Sequence, residues 1–305
     1  MDSRSEYKKG LIAVISAMVI WGVLPGYWQA LKPISSWVII LYRILTVFIY
    51  SLIVCRFKYS FKRIFETLKD KSVRLKYFTA GIIVTANWSI FIYAVNSNQV
   101  VQSSLGYYIE PIIICIVGNL VFKEKFNKYN VTAILMATAS VILMLVHFGE
   151  LPALALLLST TFAVYTAIKK TVKQPPLISL LYETLILVPP ALITIIYLEC
   201  TGRGAIAVGE PSKYFLMLLS GIFTLIPLGL FAYAATRCSM FHLGLCEYLS
   251  PSISLAMGLL FLGESVDMVQ IIGFIIIWVG LAVFSYGEYK VYKNDIKESS
   301  DDAAV

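Results

Sequence analysis

Arg43, Glu110, Glu183 and Glu247 are charged side chains set inside long apolar runs of Ile, Leu, Val, Ala, Phe and Tyr. In lipid an ionisable group at mid-depth costs at least about 2.5 to 3.5 kcal/mol, so each of the four needs a partner, water or a proton. A carboxyl that binds and releases a proton in such a place can couple proton movement to another event. Glu110, Glu247 and Glu183 are therefore candidates for proton coupling. Glu110 precedes Pro111, and Glu247 stands four residues before Pro251. A proline inside a helix removes a backbone donor and frees carbonyls toward a cavity, so Pro111 and Pro251 are expected helix kinks beside those carboxyls. Glu183 falls near the end of its run, within reach of water. Arg43 admits two readings: a structural tie to helix-end carbonyls or a carboxylate, or a contact to substrate or gate.

Aromatic residues form the second chemical set. Trp21, Trp88, Tyr93, Tyr107, Tyr108 and Tyr248 offer apolar faces with a polar handle and can hold a cation over a ring. The competing reading is interfacial belts and helix packing. Trp88 beside Asn87 is the best candidate for a cavity wall, whereas Trp28 and Trp37 near run ends read as belt residues. Glu124 and Glu264 close two runs and are expected to fix the turns that follow. His147 and His242 fall on opposite sides of the membrane, so no shared metal site is expected. The five cysteines are scattered without CxxC spacing and read as small buried hydrophobes. HExxH, GxSxG and Gly-Lys-Ser motifs are absent, which argues against an enzyme and against an ATP-driven pump within this chain, and no cofactor is called for.

The elements that must position these residues follow from composition. Of 305 residues 59% are hydrophobic and 14% charged, with a mean hydropathy of +0.80; an ordinary soluble domain is nearer half apolar and a quarter charged. A bilayer core about 30 Å thick needs about 20 apolar residues per helix, and backbone groups in lipid must be satisfied internally. Ten runs qualify: 11–30, 36–55, 76–95, 101–122, 129–147, 152–169, 177–199, 214–236, 241–262 and 269–288. The fold expected is an all-α integral membrane protein with ten transmembrane helices. The first run lacks a small-x-small cleavage site and reads as a retained span.

Placing the N-terminus in the cytoplasm sets 21 of the 25 Lys and Arg on that side, including eight in residues 56–76 and three after the sixth run; only Lys32, Arg203 and Lys213 face out. This asymmetry explains the net charge of +7 without nucleic acid, and puts both termini in the cytoplasm of a bacterial inner-membrane protein.

A shift of 140 residues aligns Gly81 with Gly221, Phe91 with Phe231, Tyr93 with Tyr233, Tyr108 with Tyr248, Pro111 with Pro251, Gly118 with Gly258 and Glu124 with Glu264. Without a gap, 12 of 44 positions are identical across residues 81–124. The same shift sets Leu41-Tyr42 on Leu181-Tyr182. The chain therefore divides into a tail, 1–10, a first five-helix repeat, 11–147, a second, 152–288, and a tail, 289–305. An odd number of helices per unit makes the repeats inverted, a recurring device of secondary transporters with a site near the midplane.

Several of these residues, in this order, resemble the EamA group of the drug/metabolite transporter superfamily, and within it the RarD-type branch often called chloramphenicol-sensitive. They are Ile20-Trp21-Gly22 with Pro25, Asn87-Trp88, Ala94-Val95-Asn96 and Ser104-Leu105-Gly106-Tyr107 with Pro111. The second half adds Glu183-Thr184, Ala235-Thr236-Arg237, Tyr248 with Pro251, Gly263-Glu264, Phe274-Ile275 and Trp278-Val279. The resemblance implies two EamA repeats, a central cavity lined mainly by helices 1, 3, 4, 6, 8 and 9, and efflux of a metabolite or drug. Similar proteins commonly carry Asn before the helix 4 proline and Gln before the helix 9 tyrosine, where this chain has Glu110 and Glu247. That departure points to a cationic substrate or proton coupling. The function expected is a secondary active exporter of a small molecule by proton antiport with alternating access. A passive channel or an importer on the same fold is the alternative, and monomer and homodimer both stay open. Substrate and cavity residues are then Trp21, Asn87, Trp88, Tyr93, Tyr107, Tyr108, Glu110, Glu247 and Tyr248, with the lipid bilayer as the other partner.

Overall fold

A computed structural model describes residues 3–96, 100–149, 153–261 and 267–302. Among them no strand occurs. The helices are α1 (Ser3–Ala30), α2 (Ser36–Lys58), α3 (Phe61–Glu66), α4 (Lys71–Asn96), α5 (Val100–Phe122), α6 (Lys128–Phe148), α7 (Ala153–Lys170), α8 (Pro176–Leu185), α9 (Val188–Cys200), α10 (Pro211–Ala235), α11 (Met240–Glu247), α12 (Leu249–Phe261) and α13 (Met268–Asp302). Helix occupies each of the ten expected segments. Among the described residues six helices, within α1, α2, α6, α7, α10 and α13, are long and apolar enough to cross a membrane. The bent pair α8–α9 makes a seventh if counted as one span.

Two expected runs are broken. The run 177–199 bends by 58° between α8 and α9, because Pro189 and Pro190 supply no N–H to the preceding turn and their rings crowd its carbonyls. The run 241–262 parts at Tyr248, three residues before Pro251, whereas Pro111 lies inside the continuous α5.

The 140-residue register reappears in the helix boundaries. Starts at 36, 71, 100 and 128 in the first half match starts at 176, 211, 240 and 268 in the second, and the ends of α1 and α7 match at 30 and 170. Packing follows the same exchange. α1 lies on α10 and α12, while α7 lies on α4 and α5; α2 lies on α8 and α10, while α8 lies on α2 and α4; α5 meets α11, and α6 meets α13. Interchanging the halves maps this set of contacts onto itself, as a pseudo-two-fold axis requires.

Small residues permit the close approaches, as they do between helices in lipid. A Cβ on Gly81 would collide with the carbonyl of Glu183 in α8, and one on its counterpart Gly221 would stand 2.6 Å from the Thr46 backbone in α2. The outer faces stay apolar: Leu120, Val146 and Ile193 are 72%, 77% and 69% exposed, the arrangement expected of a surface that meets hydrocarbon.

Candidate functional site

The halves meet at α5 and α11, where the Tyr248 hydroxyl donates to the Tyr108 carbonyl at 3.0 Å. The two tyrosines are repeat counterparts, so the pseudo-axis passes beside them. Both are buried, and Tyr108 lies edge-on to Phe274 at 5.0 Å. Their rings serve the helix junction and not a cavity wall.

Beside this junction Glu110 of α5 and Glu247 of α11 come together. Each is buried, and the two carboxyls lie close enough to interact electrostatically. Among the described residues no donor reaches either oxygen of Glu247. Two ionised carboxylates accept only and cannot bond to each other, so a proton or a cation must complete the pair.

Tyr107 keeps 43% of its surface open, lies against Phe91 at 5.9 Å, and stands within electrostatic reach of both Glu110 and Arg43. Arg43, two turns into α2, makes neither of the structural ties considered for it. Among the described residues no carboxylate pairs with it, and its Nε is buried without a hydrogen-bond partner. Its guanidinium lies over the Trp88 ring at 3.9 Å and over the Trp28 ring at 5.3 Å. Trp28, which reads as a belt residue from its place near a run end, thus helps hold Arg43. Tyr27 steadies it at 4.8 Å and is itself tied to the Leu216 carbonyl. Trp37 is exposed, as a belt position would be.

The other expected site residues are placed differently. Asn87 is buried and its amide bonds the Leu158 carbonyl at 2.8 Å and the Thr161 hydroxyl at 2.9 Å, clamping α4 to α7. Trp21 packs against Phe162 and Phe231 at 6.3 and 5.7 Å, in the central apolar core. The side chains of Tyr93 and Glu264 lie outside the described residues.

Glu183 is enclosed. Lys169 donates to it at 2.5 Å, Ser179 at 2.7 Å and Tyr165 at 3.1 Å, with the ion pair buried on both sides. Lys169 is one of the three basic residues assigned by charge patterning to the cytoplasmic surface after the sixth run, and the structure corrects this. Its chain reaches back into the bundle, 1% exposed. An enclosed void of about 10 Å³, room for one water, lies beside Glu183 and Trp88 and takes in Thr85, whose hydroxyl lacks a protein partner. Glu124 does more than close its own turn: its carboxylate accepts the backbone N–H groups of Met240 and Phe241 at 2.8 and 3.0 Å, at the start of α11, and pairs with Lys170 at 3.3 Å. Orphan donors at a helix N-terminus are where an acidic group is most useful.

The assembly of apolar helices, broken spans and buried charges at a pseudo-two-fold junction suits a membrane transporter, and the chain belongs to the EamA-like transporter family, whose model matches residues 8–146 and 151–286. It is 34% identical over 290 residues to the uncharacterized transporter YojE of Bacillus subtilis, covering 94% of this chain and 96% of that one. It is 28% identical to protein RarD of Escherichia coli, covering 93% and 96%. A solved crystal structure superposes with a TM-score of 0.68 at 13% identity, over 92% of this chain and 98% of the other, a likeness of fold alone.

Proposed function

We propose that this multi-pass membrane protein is a secondary active carrier of a small solute, crossing the bacterial inner membrane ten times as two inverted five-helix units with both termini cytoplasmic. Its coupling group is the Glu110–Glu247 pair. The observation that carries the reading is the meeting of two buried carboxyls at the junction of the halves, with no donor on Glu247 among the described residues. Such a pair holds one proton well and two negative charges badly, and the junction is where a rocking motion of one repeat against the other would change its access. Glu183, whose oxygens are already engaged, acts in this scheme as a strut. Export of a metabolite or drug by exchange for protons is the form that the resemblance implies.

The test compares cells overproducing the wild type, Glu110→Gln and Glu247→Gln, with mass spectrometry of medium and cytoplasm. Solutes that the wild type redistributes should stay put in both variants at equal membrane abundance, and should stay put in the wild type once a protonophore collapses the pH gradient. Redistribution that survives both substitutions and the protonophore would sink proton coupling. Saturable counterflow with trans-stimulation separates a carrier from a channel.

A further inference from the structure

We infer that Arg43 is the docking point for the anionic head of the transported solute, and that this solute is a small organic anion, a carboxylate or a close oxyanion relative. The inference rests on the carrier reading above and deepens it.

Arg43 is part-buried with its Nε enclosed, and a guanidinium taken out of water is normally paired, because desolvating a charge without compensation is expensive. Arg43 compensates only in part. The Trp28 and Trp88 rings cover it by cation–π contact at 5.3 and 3.9 Å, and Nε has no partner. Ring contact occupies the faces of a planar group and leaves its edge, the donor fork that matches an oxyanion in two parallel hydrogen bonds. The nearby titratable side chains are phenols, Tyr27 and Tyr107, and the stretch 92–105, which includes side chains not described, contains no Asp or Glu. Among the described residues the fork therefore faces no carboxylate. Tyr107, 43% exposed, flanks the guanidinium on this side, and its ring suits a flat or apolar body attached to the anionic head.

The experiment measures equilibrium binding of radiolabelled benzoate to the purified full chain in lipid nanodiscs, with acetate, benzenesulfonate, phenyl phosphate, benzamide and benzylamine as competitors. Saturable benzoate binding displaced by the anions and not by benzylamine or benzamide is expected. Arg43→Gln should abolish it, and Arg43→Lys, which keeps charge without the planar fork, should weaken it about 10-fold. If Arg43→Gln does not fold, Arg43→Lys decides. Absence of saturable binding by any of the anions, preference for benzylamine, or binding unchanged in Arg43→Lys overturns the inference. The two readings fail separately. Arg43-dependent binding together with proton-independent solute movement sinks the coupling role of the glutamates alone; proton-coupled movement with no anion binding sinks this inference alone.

Discussion

Arg43 and Glu183 stand at the same place in the two halves, 140 residues apart, and their surroundings treat them in opposite ways. Glu183 is closed in by Lys169, Ser179 and Tyr165. The same three positions in the first half are Gln29, Ile39 and Pro25, none of which carries a counter-charge for Arg43. The surroundings supply indole rings in place of counter-charge. The difference teaches that a repeat conserves geometry, not roles. One copy of the position has become a locked tie between α7 and α8, and the other a cation held by rings.

The largest expected effect breaks the locked side. Lys169→Met leaves the Glu183 charge buried without its cation and should lower stability by about 3 to 5 kcal/mol, read as a drop in the thermal unfolding midpoint in detergent. The double substitution Lys169→Met with Glu183→Leu should recover most of that loss. On the open side, Arg43→Met strands no partner and should change stability by less than about 1 kcal/mol. Equal losses from Lys169→Met and Arg43→Met would show that the two positions are not different in kind.

Much of this frame is legible in the sequence, and the remainder fails for identifiable reasons. The apolar runs and the 140-residue register anticipate where helices start, because hydropathy and proline or small-residue positions act locally along the chain. Glu110 and Glu247 are flagged because a charge in an apolar run is costly wherever it points. Lys169 is missed because three lysines after an apolar run read as a cytoplasmic cluster, and nothing local says that the first folds back toward a glutamate 14 residues on. Trp28 is missed because a tryptophan near a helix end suits an interface equally well; only the packing of α1 and α2 on the same helix, α10, aims it at Arg43. Asn87 and Trp21 face helix neighbours because which face each helix buries is a tertiary matter.

The next effect concerns the glycines that let the halves close on each other. Gly81→Ala pushes a methyl into the rigid Glu183 carbonyl and should cost about 2 to 3 kcal/mol; Gly221→Ala meets the Thr46 backbone and side chain and should cost somewhat less. Thermal unfolding of the two single variants compares the contacts directly, and a larger loss at Gly221 would reverse the ranking. Glu124→Ala removes two charge-assisted bonds from the start of α11 together with the Lys170 pair. A loss of about 2 kcal/mol is expected, with faster hydrogen exchange at Met240 and Phe241 as the local sign.

The smallest effect separates the two halves at their last helices. Asn127 accepts the Asn130 N–H at 2.9 Å before α6, and its counterpart Asp267 accepts the Val269 N–H at 2.7 Å before α13, so one cap is neutral and the other charged. The Val269 N–H, with His147 at 3.3 Å as a lesser influence, holds the Asp267 carboxyl below its ordinary value. A group whose affinity for protons falls on folding stabilises the native state above its unfolded value, near pH 4, and that contribution is lost as pH falls through the lower folded value. Asp267→Asn should therefore keep the cap and remove a small acid-sensitive part of the stability below about pH 4. Asn127→Asp should install one in the first half. Unfolding midpoints followed from pH 6 to pH 3 provide the check, and an acid limb that is the same in wild type and Asp267→Asn would place the titrating group elsewhere.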